Sequence, residues 1–256
     1  MIPKIIHYCW FGRNPLPKSA LRCIESWRKY FPDYEIKEWN EDNFDVDMMP
    51  FTREAYARKK YAFVSDVARF WILYHHGGLY FDTDVEVIRP MHDIVARGAF
   101  MGIEVECGNG LEYPYIAPGL GLGAEPGMEF YRRVLEHYSS CHFLDADGNQ
   151  IPGTVVSHNT LVLREHGLQP HNGIQTVADI TIYPIDYFNP LDDATGVLRK
   201  TKNTRSIHWY DKTWLDNYGP VRKWLTRIIH RYFGINSIAW IKHLFSKQLS
   251  TLWKKL

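Results

Sequence analysis

Residues 61–75 are apolar around most of the helix that their spacing predicts, and this stretch constrains the chain more than any other. Phe63, Val67, Phe70 and Tyr74 form one stripe, and Val64, Ala68, Trp71 and Ile72 carry it well around the cylinder. A helix with so little polar surface has to be buried inside a core. Gly77-Gly78 ends it, and Leu79-Tyr80-Phe81 begins a strand expected to run through Asp82-Thr83-Asp84 and on to Pro90. With 256 residues, the chain is long enough to build such a core without disulfides or metals.

The remaining pattern alternates. Residues 4–10 read as a buried first strand, 17–30 as a helix whose stripe is Leu21, Ile24 and Trp27 with Ala20 and Cys23, and 34–39 as a second strand. This β-α-β opening points to a sheet with crossover helices rather than to a bundle or a sandwich. Further strands are expected at 100–104, 180–183 and 206–209, and further helices at 127–139 and 155–166. Residues 107–123, rich in Gly, Pro and Tyr, read as a long loop, a feature that in a compact domain is often functional.

Charge divides the chain in two. The whole carries 30 Lys and Arg against 29 Asp and Glu, yet residues 221–256 hold eight basic side chains and no acidic one. The first 220 residues therefore have 22 basic against 29 acidic side chains, a balance of −7. Cys9, Cys23, Cys107 and Cys141 form no C-x-x-C pair and no metal-ligand spacing, which fits a reduced compartment. The opening residues do not have the form of a signal peptide, and no apolar run approaches the roughly 20 residues of a spanning helix. A cytosolic location is expected.

Two groups of residues can carry chemistry. Asp82 and Asp84, at i and i+2 on an expected extended segment, point the same way and offer hard oxygen ligands to Mg²⁺ or Mn²⁺, which can bridge to a diphosphate. They follow an apolar strand, and open α/β sheets bind ligands at the carboxyl ends of their strands. Asp66 and Arg69 lie at i and i+3 on the helix least suited to charge. A buried ionised group must be paired or ligated, so the pair is either a structural ion pair or part of a site for a polyhydroxylated, anionic ligand.

The run Ser65-Asp66-Val67-Ala68-Arg69-Phe70, followed by Tyr74-His75-His76-Gly77-Gly78-Leu79-Tyr80-Phe81-Asp82-Thr83-Asp84, resembles the D-x-D sugar-binding region of glycosyltransferase family 32. That family includes bacterial capsular and lipopolysaccharide transferases and fungal mannosyltransferases, and is related to the clostridial glucosylating toxins. The opening residues 2–12 are similar to its first strand, and His208-Trp209-Tyr210-Asp211-Lys212-Thr213-Trp214 to its C-terminal segment. The resemblance implies a GT-A fold, an α/β Rossmann-like mixed sheet flanked by helices, over a catalytic domain of residues 1–219. It also implies a retaining hexosyl transfer that uses a nucleotide-sugar and Mn²⁺ or Mg²⁺. Trp10 would stack on the donor base, and Asp66 and Arg69 would hold the sugar hydroxyls. Asp82 would contact ribose and metal, Asp84 would ligate the metal, and His208 is a candidate ligand. Trp209 or Trp214 would close over the diphosphate. A UDP-glucose or UDP-galactose type of donor is expected, with GDP-mannose as the alternative.

After Gly219-Pro220, Val221, Leu225, Ile228, Ile229 and Tyr232 or Phe233 form an apolar stripe, with Arg222, Lys223, Arg227 and Arg231 mostly elsewhere. A second helix is expected from Ser237, with Ile238, Ile241, Phe245, Leu249 and Leu252 on one face. Residues 220–256 thus have the composition of helices lying in a membrane interface. Packing on the acidic body, or against a second copy, is the alternative; nucleic acid is not expected. Together these readings describe a peripheral transferase on the inner face of the cytoplasmic membrane, acting on a lipid-linked oligosaccharide in surface polysaccharide assembly. A metal-dependent phosphoryl-transfer enzyme and a non-catalytic membrane adaptor are the competing classes.

Overall fold

The computed structural model describes residues 1–211, 220–235 and 237. Trp214, and the second tail helix beyond Ser237, lie outside the described residues. Contacts divide the chain into two units, residues 1–190 with 200–209, and residues 191–199 with the segment from 210 onward.

The first unit begins β1 (Ile5–Cys9), α1 (Lys18–Tyr30), β2 (Glu35–Trp39), α2 (Pro50–Ala57), α3 (Tyr61–His76). It continues through β3 (Gly78–Tyr80), β4 (Val85–Val87), α4 (His92–Val95), β5 (Phe100–Val105), β6 (Tyr115–Ala117) and β7 (Leu122–Ala124). It ends with α5 (Glu129–Ser139), α6 (Val155–Glu165), β8 (Gln175–Val177), β9 (Ile180–Tyr183), α7 (Ile185–Phe188) and β10 (Ser206–His208). Eight strands form one mixed sheet in the order β2-β1-β3-β7-β5-β9-β8, with β6 beside β5. β1 is parallel to both β2 and β3, whereas β7 is antiparallel to β3 and β5. This is the mixed sheet flanked by helices that the GT-A type implies.

Side chains alternate across the sheet, because successive residues of a strand point to opposite faces. Tyr80, Met101 and Ile182 enter the core beneath α3, α5 and α6, while Leu79, Phe81 and Phe100 enter the core beneath α1. As expected, α3 is buried nearly all round, including Asp66 and Arg69. In α1 the buried face is Ala20, Cys23, Ile24 and Trp27; Leu21, expected in that stripe, is 47 % exposed.

The expected continuous strand after Gly78 is two strands in two sheets. β3 lies in the large sheet, and β4 pairs instead with β10, antiparallel, in a two-stranded ribbon. Between them the chain turns, with Val85 N–H donating to Asp82 O at 3.0 Å. Helix α1 holds the ribbon from one side: Trp27 Nε1 donates to Val85 O at 2.8 Å, and Val87 N–H donates to Ser26 Oγ at 2.9 Å. The long loop also contains two short strands, β6 and β7, and β7 fills the place between β3 and β5.

In the second unit, α8 (Pro220–Phe233) turns its cations toward residues 193–195 and 210–211. Arg227 bonds the carbonyl and carboxylate of Asp193, Arg231 the carbonyl of Thr195, and Lys223 the carbonyl of Tyr210. Trp224, Leu225, Tyr232 and Phe233 are exposed. No described helix is long and apolar enough to cross a membrane.

Candidate active site

The Asp82-Thr83-Asp84 turn sits where the chain leaves the large sheet for the ribbon. The sequence pattern placed both carboxylates on an extended segment; in the structure the turn, not the pleat, brings them together. Asp82 is anchored from α3. Arg69 Nη1 donates to Asp82 Oδ2 at 3.3 Å, and Nη2 lies 3.2 Å from Asp82 Oδ1 and 3.1 Å from Asp66 Oδ1. Arg69 Nε donates to the Ser65 carbonyl at 3.0 Å. Each nitrogen of the guanidinium is thus engaged inside the protein, and its side chain is only 3 % exposed.

Two residues that the sequence reading missed complete this anchor. The Tyr80 ring lies under the guanidinium, 4.9 Å from Cζ, and its hydroxyl donates to Asp82 Oδ1 at 3.2 Å. Gly119 lies so close that a Cβ there would stand 2.1 Å from Asp82 Oδ2, and its carbonyl accepts from Asp82 N–H at 3.3 Å. Position in the Gly-rich loop was the one available signal for Gly119. Alternation along the strand could have shown Tyr80, since residues 80 and 82 share a side if the strand continues.

One cation serves two carboxylates in this cluster. Burial pushes the Asp66 carboxyl up to about 7, against the opposing pull of Arg69 and with a further push from Asp82. Burial also works against the Arg69 charge, but the surrounding carboxylates win and the guanidinium stays protonated. Arg69 therefore commits itself chiefly to Asp82, which it meets through two nitrogens, and leaves Asp66 the less compensated acid.

On the other side of the turn, Asp84 Oδ1 lies 3.2 Å from His208 Nε2. Antiparallel pairing of β10 with β4 puts His208 opposite Val85, next to Asp84 in the chain. Burial disfavours the charged imidazole, but Asp84, by charge and hydrogen bond, outweighs it and raises His208 to about 9; Asp82 and Glu104 add to this. One ligand atom from each of Asp82, Asp84 and His208 lies within 4.8 Å of the others. Two carboxylates and an imidazole are a hard oxygen and nitrogen donor set suited to Mn²⁺ or Mg²⁺, so the residues present fit such an ion.

The remaining candidates are placed around this centre. Trp209 N–H donates to the Asp84 carbonyl at 2.9 Å, and its indole N–H to Glu86 Oε2, also at 2.9 Å. Trp10 follows β1, donates through Nε1 to Asn14 O at 2.6 Å, and lines a cavity of about 240 Å³ with Arg13, Asn14, Glu38, Asn40 and Glu41. The structure thus joins Asp66, Arg69, Asp82, Asp84 and His208 in one cluster, with Trp209 tied to it through the backbone.

Residues 17–101 match the family model described as the glycosyltransferase sugar-binding region containing DXD motif. Over these residues, a third of the chain, the sequence is similar to that DXD region. The match covers α3, Asp66, Arg69, Asp82 and Asp84 but ends before Gly119 and His208. Among the proteins to which the chain is similar is inositol phosphoceramide mannosyltransferase 1 of Schizosaccharomyces pombe. It is 30 % identical over 111 residues, which are 39 % of this chain and 33 % of that protein. Mannosyl phosphorylinositol ceramide synthase SUR1 of Saccharomyces cerevisiae is 28 % identical over 151 residues, 56 % of this chain and 37 % of that one. The chain spans about a third of the length of these curated relatives. Among solved structures, PaToxG glycosyltransferase aligns with 16 % identity over 64 % of this chain and 69 % of that one, with a TM-score of 0.45. The galactosyltransferase LgtC aligns with 14 % identity over 87 % and 95 %, with a TM-score of 0.42.

Proposed function

We propose that the chain transfers a hexose from a nucleotide-sugar to a hydroxyl acceptor, with retention at the anomeric carbon. The observation that carries this reading is the pair of clusters sharing Asp82: Asp66–Arg69–Asp82 on the α3 side, and Asp82–Asp84–His208 on the ribbon side. Asp82, Asp84 and His208 would hold Mn²⁺ or Mg²⁺. Such a cation supplies Lewis-acid stabilisation of the leaving diphosphate. Arg69 positions Asp82 by fixing both carboxylate oxygens, and Asp66 is the acid left to meet sugar hydroxyls. With its indole N–H given to Glu86, Trp209 offers a ring face rather than a donor.

A UDP-hexose is the donor we favour, as the resemblance to glycosyltransferase family 32 implies. GDP-mannose is the second reading, favoured by relatives named as mannosyltransferases. Those relatives are also named for inositol phosphoceramide, a lipid, and a membrane-held acceptor such as a lipid-linked oligosaccharide suits the exposed aromatic residues of α8. Attachment to the inner face of the cytoplasmic membrane, in surface polysaccharide assembly, belongs to this proposal.

Thermal stability against UDP-, GDP- and CMP-sugars, with and without Mn²⁺, tests it, because a ligand that binds only the folded state raises the melting temperature. A metal-dependent rise with one donor class is expected, lost when Asp82→Asn and Asp84→Asn are combined. No rise with any nucleotide-sugar, or a rise that survives the double substitution, overturns the assignment.

A further inference from the structure

A second group of ligating side chains lies away from the Asp82 turn, where α5 meets α6. His137 stands in the last turn of α5, Cys141 just beyond it, and His158 in the first half of α6. The turn that ends α5, in which Cys141 N–H donates to Tyr138 O at 3.0 Å, brings Cys141 Sγ back to the side of His137, 3.3 Å from its carbonyl oxygen. Helix α6 is fixed at its start by a reciprocal Thr154 and Ser157 cap, which sets the direction from which His158 arrives. His137 Nε2 lies 2.8 Å from His158 Nδ1 and 3.7 Å from Cys141 Sγ, and one ligating atom from each of the three residues lies within 4.8 Å of the others.

We propose that His137 Nε2, Cys141 Sγ and His158 Nδ1 form a zinc site. Tetrahedral Zn²⁺, with bonds of about 2.3 Å to sulfur and about 2.0 Å to nitrogen, holds sulfur and nitrogen ligands about 3.6 Å apart and two nitrogens about 3.3 Å apart. The observed sulfur–nitrogen distance already matches, and the two imidazoles need to part by only about half an ångström, exchanging a hydrogen bond for two metal bonds. A thiolate with two imidazoles is a soft donor set that selects Zn²⁺ over the hard ions suited to Asp82 and Asp84. Cys141 and His158 also line a cavity of about 190 Å³ with Phe51, Phe63 and Phe143. Three protein ligands beside a cavity leave the fourth coordination position to water or a small exogenous donor, the arrangement of an open site.

The ion would tie α5 to α6, and α6 in turn holds β6. Asn159 Nδ2 donates to Ile116 O, and Ile116 N–H donates to Thr160 Oγ1, each at 2.9 Å. Gly119, which lies against Asp82, follows β6 by two residues.

The test titrates the full, reduced, metal-stripped chain with Co²⁺ and then Zn²⁺, because a thiolate bound to Co²⁺ absorbs by charge transfer and the Asp82 cluster has no sulfur ligand. A charge-transfer band saturating near one equivalent and removed by Zn²⁺ is expected. Cys141→Ser should abolish the band, His158→Gln should weaken Zn²⁺ affinity by at least about tenfold, and Asp84→Asn should leave both unchanged. Circular dichroism of Cys141→Ser separates loss of the site from loss of the fold. Absence of the band in the unmodified chain, or its persistence in folded Cys141→Ser, overturns the proposal. Neither result touches the Asp82 assignment.

Discussion

Arg69 grips Asp82 through both of its terminal nitrogens and reaches Asp66 through only one. The two buried acids of the site are therefore unequal. Arg69→Ala strands both, and removing one partner of a buried charge pair costs about 3–5 kcal/mol. Asp66→Asn replaces an acid whose carboxyl is already pushed up to about 7, so its stability should stay within about 1 kcal/mol of the parent while donor binding falls. Urea unfolding of the two variants measures the difference; equal losses would contradict this asymmetry.

Gly119→Ala places a methyl group 2.1 Å from Asp82 Oδ2 and 3.3 Å from Arg69 Nη1. The short Asp82 side chain is held by Arg69 and Tyr80, so it has to leave both to make room. Overpacking of this kind costs about 1–3 kcal/mol, but the larger effect should be on the site. Calorimetric titration with Mn²⁺ and a nucleotide-sugar should show binding lost in a chain that still unfolds cooperatively.

Acid should destabilise the chain through His7. Trp39 Nε1 donates to His7 Nδ1 at 3.0 Å, which leaves the proton on Nε2, 3.0 Å from the Gly77 carbonyl. Burial, helped by the nearby His76 and Lys37, lowers His7 to about 4. The unfolded chain therefore binds a proton near pH 6.5 that the folded chain refuses until about pH 4. The resulting stability is complete above pH 6.5 and is lost as pH falls through that window, on the order of 3 kcal/mol in all. Urea midpoints between pH 4 and 7 should fall less steeply in His7→Gln than in the parent.

Vesicle binding should depend on aromatic residues more than on the basic residues of α8. Trp224, Tyr232 and Phe233 are 60 %, 75 % and 76 % exposed, whereas Lys223, Arg227 and Arg231 are bonded within their own unit. Burying one such aromatic ring contributes about 1.5–3 kcal/mol. Trp224→Ser with Phe233→Ser should weaken co-sedimentation with anionic vesicles at least about tenfold, and Arg227→Gln should weaken it much less. The reverse order would assign attachment of the tail to its basic side chains instead.

What could be read from the sequence was local. The helix–Gly-Gly–Asp-x-Asp unit is contiguous, so its periodicity exposed α3 and its charged residues as well as the two acids beyond. The entry of β7 between β3 and β5, the pairing of β4 with β10, and the approach of Gly119 to Asp82 join residues far apart in the chain, and no pattern within one segment encodes them. Leu21 misled for a simpler reason: Ala20 and Leu21 both fit an apolar stripe, and packing chose the smaller.

The β4–β10 ribbon draws one ligand of the candidate cation site from residue 84 and another from residue 208. During synthesis from the N-terminus, the family-matched segment and most of the large sheet emerge well before β10. A nascent or prematurely terminated chain would then display its acids without the histidine that completes the set. Competence to hold an ion at this turn would then be acquired only once residue 208 has been made and β10 has paired with β4.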